Sequence, residues 1–150
     1  MKVSVRMLLL VGSLLSCVVI LDAGAQDSIP GFGIPQLVRL DPKGVVPVEI
    51  SVKPGTTVIW LNSTRGFVTV VFAGGEEVAA ATQSPTRFFL APDGTFTTNA
   101  FAPGAVASLA FLSPGQYRYF VSGVPGDFVS GEGVFGKILV KEKVKEKGPP

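Results

Sequence analysis

The feature that most limits what this chain can fold into is its punctuation by glycine and proline, 18 Gly and 12 Pro in 150 residues. Both interrupt helices, glycine through backbone entropy and proline through its missing N–H and its ring. A helical bundle is therefore excluded, and short apolar runs joined by tight turns are expected. Val48, Ile50 and Val52 alternate with Glu49, Ser51 and Lys53, the period of a half-buried strand. Pro54-Gly55 makes a turn, and the runs 56–62 and 67–72 are rich in β-branched and aromatic residues. Gly74-Gly75 turns the chain again. Short strands are predicted at 87–90 and 95–99 around Pro92-Asp93-Gly94, and further ones at 106–112, 116–122 and 135–141. The total is about seven to nine short strands with no helix, which predicts an all-β, antiparallel Greek-key sandwich or small barrel.

The first 25 residues read as a secretory leader. Lys2 and Arg6 supply the positive start, Met7 to Leu21 is apolar, and Ala23-Gly24-Ala25 offers small residues for cleavage after Ala25. Asp22 ends the apolar run short of the length a membrane helix needs, so no span is expected after cleavage. Leu14-Leu15-Ser16-Cys17 also resembles a lipobox, which makes lipid anchoring at Cys17 the alternative. The expected location is periplasmic or secreted. Residues 26–44 form a Pro/Gly-rich N-terminal segment, 45–141 the folded domain, and 142–150 a charged, flexible tail.

Removing the leader removes a good deal of chemistry. Met1, Met7 and Cys17 all lie within it, and the chain has no His. The mature protein then lacks every imidazole, thiol and thioether, so His- and Cys-based catalysis and soft metal ligation are excluded. A net charge of +2 is too small to imply a nucleic-acid partner. The carboxylates fit turns: Glu76-Glu77 follow Gly74-Gly75, Asp93 sits in Pro-Asp-Gly, and Asp41 precedes Pro42. Lys43, Lys53 and Lys137 are expected on the surface, and no calcium loop or serine elbow occurs. No enzyme activity and no cofactor are expected.

Four segments carry a family resemblance. Residues 47–62, from Pro47 through Pro54-Gly55 to Trp60-Leu61-Asn62, are similar to the opening of plastocyanin-like cupredoxins. The strand Val68–Phe72 resembles the strand that carries that family's first histidine. Residues 114–121 and Gly133-Val134-Phe135-Gly136 resemble its cysteine approach and its closing Gly-Met-x-Gly segment. Such proteins hold a type 1 copper with two His, one Cys and a weak axial Met. The resemblance implies that those ligand positions are Val68, Val121, Val124 and Val134, all of them valine. By strand parity, Val68, Val121 and Val134 lie on the core-facing side with Val70, Phe72, Tyr117, Tyr119, Ile138 and Val140. Trp60, Tyr117 and Tyr119 are expected in the core. Asn62-Ser63-Thr64 matches a glycosylation sequon, although Asn62 also completes the family's W-x-N pattern.

Phe67, Val71 and Phe120 fall on the opposite, outward parity, and the loop 123–133 adds Val124, Phe128 and Val129. In the resembling family this loop rims the end where partners dock. The expected function is thus a copper-free binding or structural module that contacts an envelope or secreted protein through Val124, Pro125, Phe128 and Phe135. The alternative implied by the family is a periplasmic copper electron-transfer protein. A monomer or weak oligomer is expected.

Overall fold

The computed structural model describes residues 33–124 and 134–142. Eleven strands and one short helix follow in chain order: β1 Gln36–Asp41, β2 Gly44–Val46, β3 Glu49–Val52, β4 Thr56–Asn62, β5 Thr69–Phe72, α1 Gly75–Ala80, β6 Thr82–Thr86, β7 Phe88–Leu90, β8 Phe96–Thr98, β9 Val106–Phe111, β10 Gly115–Ser122 and β11 Val134–Val140. They form two sheets. One has five strands in the order β2-β1-β4-β9-β6, the other six in the order β3-β11-β10-β5-β8-β7.

Several features correct the sequence reading. The sheets are mixed rather than wholly antiparallel, because β1 pairs parallel to β4 and β3 parallel to β11. A helix also exists. Its buried Gly75 and Val78 face the protein while Glu76 and Glu77 stand exposed in its first turn, so these two acids are solvated, but on a helix rather than a loop. The folded unit also begins before residue 45, since β1 and β2 are integral to the five-stranded sheet. Lys43 and Lys53 are exposed as expected, whereas Lys137 is half-buried and paired with Glu49.

Alternation builds the core. Thr56, Val58, Trp60 and Asn62 of β4 turn inward, as do Tyr117, Tyr119 and Val121 of β10 and Ile138 and Val140 of β11. Trp60 packs edge-on against Phe72, Phe88 and Tyr119 at centroid distances of 6.0, 5.3 and 5.5 Å. Edge-to-face contacts of this kind contribute about 0.5–1.5 kcal/mol each beyond area burial. Gly136 of β11 lies beneath the Tyr119 ring, in space that a Cβ would take from that ring. At Arg87, φ +70, the chain leaves the five-stranded sheet for the six-stranded one, and the Arg87 Nε donates to the Val106 carbonyl at 2.9 Å. No helix among the described residues is long and apolar enough to cross a membrane.

Candidate functional site

Strand register brings the four valines to one end of the sandwich. Val121 pairs with Val70 on β5 and with Val134 on β11. Val68 continues β5 beyond Thr69 and bridges Phe101, each donating its N–H to the other's carbonyl at 3.2 and 2.9 Å. Gly123, φ +85, presses its backbone against Phe67 and Val68, where any side chain would collide with the Phe67 carbonyl. The following residue, Val124, then turns into the core. Val68, Val121 and Val124 are buried, and Val134 is half-buried against the same cluster. The inward parity expected for Val68 and Val121 is therefore observed.

Hydrogen bonds tie down the loop that carries this end. Asn62 is fully buried; its Nδ2 donates to the carbonyls of Gly66 (2.8 Å) and Phe101 (2.9 Å). Its Oδ1 accepts from the Thr64 N–H (2.9 Å) and the Thr64 hydroxyl (2.7 Å). Both donors and the acceptor of the amide are thus committed inside the protein. In the folded chain this asparagine closes a loop and is sealed from a glycan. Phe101, its partner and that of Val68, was not singled out by sequence reasoning; its only signal was apolar character inside a Pro/Gly-rich stretch.

The residues expected to meet a partner separate sharply. Val124 is 2% exposed and is corrected from a contact residue to a core residue. Phe135 is 58% exposed, and Phe67 at the same end is 64% exposed. Pro125 and Phe128 lie outside the described residues, as do Cys17 and the leader. Away from this end, a shallow cleft is lined by Gly74, Glu77, Gln116 and Arg118.

The titratable groups carry little chemistry. Burial pushes the Tyr119 phenol up to about 12, with a small opposing effect from the neighbouring Trp60 indole, whose Nε1 closes no hydrogen bond of full geometry. Tyr117 is raised by burial more mildly, and its hydroxyl donates to the Ser113 carbonyl at 2.8 Å. The Thr95 hydroxyl and N–H hold the exposed Asp93 carboxylate below its ordinary value. Among the described residues no three His, Cys, Asp or Glu side chains gather into a group that could hold a metal ion.

Solved structures share this architecture. A proline-to-glycine variant of amicyanin in its reduced Cu(I) form at pH 4 aligns with TM-score 0.51 and 21% identity, over 71% of this chain and 82% of that one. A Cu(I) methionine-to-alanine variant of amicyanin aligns with TM-score 0.51 and 20% identity, over 76% of this chain and 97% of that one. The fold is cupredoxin-like. At this identity the likeness is one of fold. No protein-family model matches the chain, and no curated protein matches it.

Proposed function

We propose that this chain is an exported module of cupredoxin-like fold, without copper chemistry, that binds another envelope or secreted protein through its valine-bearing end. Val68, Val121, Val124 and Val134 stand, on this reading, at the positions where the resembling family places its copper ligands. A type 1 copper needs imidazole, thiolate and thioether donors, and valine methyls carry no lone pair, so these residues do not fit the metal. They serve the core instead, each buried valine contributing about 1.5–3 kcal/mol by its removal from water.

The observation that carries the binding role is the pair of exposed aromatic rings at this end, Phe67 and Phe135. Large apolar side chains left in water beside a closed, well-packed end are what a docking face presents. Pro125 and Phe128, between Val124 and Val134 in the sequence, lie outside the described residues and enter the reading as sequence expectations. Export rests on the leader, and protein recovered from the envelope should begin at Gln26; a lipid-modified start at Cys17 would instead place it on a membrane surface.

Two measurements test the reading. Copper(II) added to the purified protein should produce no intense visible thiolate band; such a band would restore the electron-transfer alternative. A protein captured from native envelope extract should be lost with Phe67→Glu or Phe128→Glu, each shown to be folded by circular dichroism. Equal capture by wild type and both variants would remove the docking face from this end.

A further inference from the structure

Strand register aligns an apolar row that the sequence order conceals. Phe89 pairs with Thr97, Thr97 with Val71, Val71 with Phe120, and Phe120 with Phe135. These five residues come from five adjacent strands, β7, β8, β5, β10 and β11, and none is buried, unlike the inward Phe88, Thr98, Phe72, Tyr119 and Val121 beside them. At a strand spacing of about 4.8 Å the row is about 19 Å long. Its one polar member, Thr97, turns its hydroxyl back to the main-chain carbonyls of Val70 (3.2 Å) and Thr98 (3.3 Å). Phe120 and Phe135 touch, with ring centroids 6.5 Å apart.

The other sheet has no such row. There Leu37 and Ile59 are followed by Ser108 and Thr86. The next row is interrupted by Arg39, which pairs with Asp41. A solvated sheet face ordinarily alternates with polar residues as that one does.

We propose that the outer face of the six-stranded sheet stacks on the same face of a second copy of this chain, about a two-fold axis running along β5. The row is self-complementary under that operation. Its ends are both phenylalanine and its centre is Val71, so Phe89 of one copy meets Phe135 of the other and Val71 meets Val71. Charge agrees. Arg118, the one charged residue of β10, lies one outward step along the strand from Phe120 and is exposed. The same axis sets it over the β7–β8 hairpin of the second copy, whose tip carries the exposed Asp93 carboxylate. Lys137 is neutralised within its own copy by Glu49. Under that axis β11, β10, β5, β8 and β7 of the two copies overlie one another across about 19 Å.

This inference shares Phe135 with the partner reading above, so the test that separates the two turns on Phe89, at the far end of the row. Sedimentation velocity of the purified full chain, with no partner present, is followed over rising concentration. Wild type should pass reversibly from monomer to dimer. Phe89→Glu and Phe135→Glu should each raise the dissociation constant about tenfold or more, while Leu37→Glu, on the outer face of the other sheet, should leave it unchanged. Circular dichroism checks each variant, and Phe89→Ser replaces Phe89→Glu if the latter does not fold. A wild type that stays monomeric throughout overturns the proposal. So does a dimer indifferent to Phe89, or one weakened equally by Leu37→Glu. Capture of a different protein through Phe89 by a monomeric wild type would assign the face to that partner and overturn self-association.

Discussion

The middle of this sandwich and its valine-bearing end are built from different materials. In the middle, Trp60, Phe72, Phe88, Phe111, Tyr117 and Tyr119 interlock as rings, and Trp60 Nε1 is left without a partner. At the end, stiff β-branched valines pack beside Phe101, and an amide network centred on Asn62 closes the loop above them. The middle therefore depends on volume: removing a ring leaves a cavity. The end depends on volume and on polar satisfaction together, so removing one amide strands the Thr64 N–H and weakens the hold on two carbonyls.

The largest test of that contrast is Trp60→Ala, expected to destabilise by about 3–5 kcal/mol in denaturant unfolding followed by circular dichroism. Trp60→Phe should cost clearly less, because it keeps most of the ring volume. Equal losses would mean that the middle does not depend on volume alone. Next, Asn62→Ala should cost about 2–4 kcal/mol, since it leaves the Thr64 N–H without its acceptor and takes one of two donors from each of the Gly66 and Phe101 carbonyls. Asn62→Asp should recover only part of this, because a carboxylate accepts from Thr64 but donates to neither carbonyl. Full recovery would show that the two carbonyls are satisfied by the Thr64 hydroxyl and the Val68 N–H alone.

A third test uses pH. Tyr119 titrates at about 12 in the folded protein, against about 10 for an exposed phenol. Between those values the unfolded chain loses a proton that the folded chain keeps. Stability is thus unaffected by this group below pH about 10, falls as pH rises toward 12, and is lower by roughly 2–3 kcal/mol above it. Tyr119→Phe should flatten that alkaline limb in unfolding curves measured across the range. An unchanged limb would assign it to other groups.

Much of the frame was legible in the sequence because a period of two needs only local information. The run 56–62 is β4, the runs 106–112 and 116–122 differ from β9 and β10 by one residue at one end, and 135–141 is β11 shifted by one residue. What escaped depends on distant partners or on backbone irregularity. β1 has only Val38 and Leu40 turned fully inward, and its strand character comes from parallel pairing with β4 some twenty residues on. β6 contains Pro85 and Ser84, the latter at φ +51, which reads as a turn but lies along β9 with a shifted register. α1 has one turn's worth of packing, anchored by Val78, too little for a helical period to show. At the site, parity placed Val68 and Val121 correctly, but it is blind in loops. Only the left-handed Gly123, folded against Phe67, explains why Val124 enters the core and not the surface.

The smallest effect separates valines of the same end. Val121 is enclosed by β5 and β11, whereas Val134 opens β11 and is half-buried beside Gly44. Val121→Ala removes about two methylene equivalents from a site that cannot collapse, and should cost about 1.5–2.5 kcal/mol. Val134→Ala loses surface that already meets water, and should cost at most about 1 kcal/mol. Chemical denaturation of the two variants side by side measures the difference directly. Equal and small losses would mean that the valine end is loosely filled, with room for rearrangement around it. Equal and large losses would mean that Val134 is covered in solution by something beyond the described residues, and the docking face should then be sought farther along β11, toward Phe135.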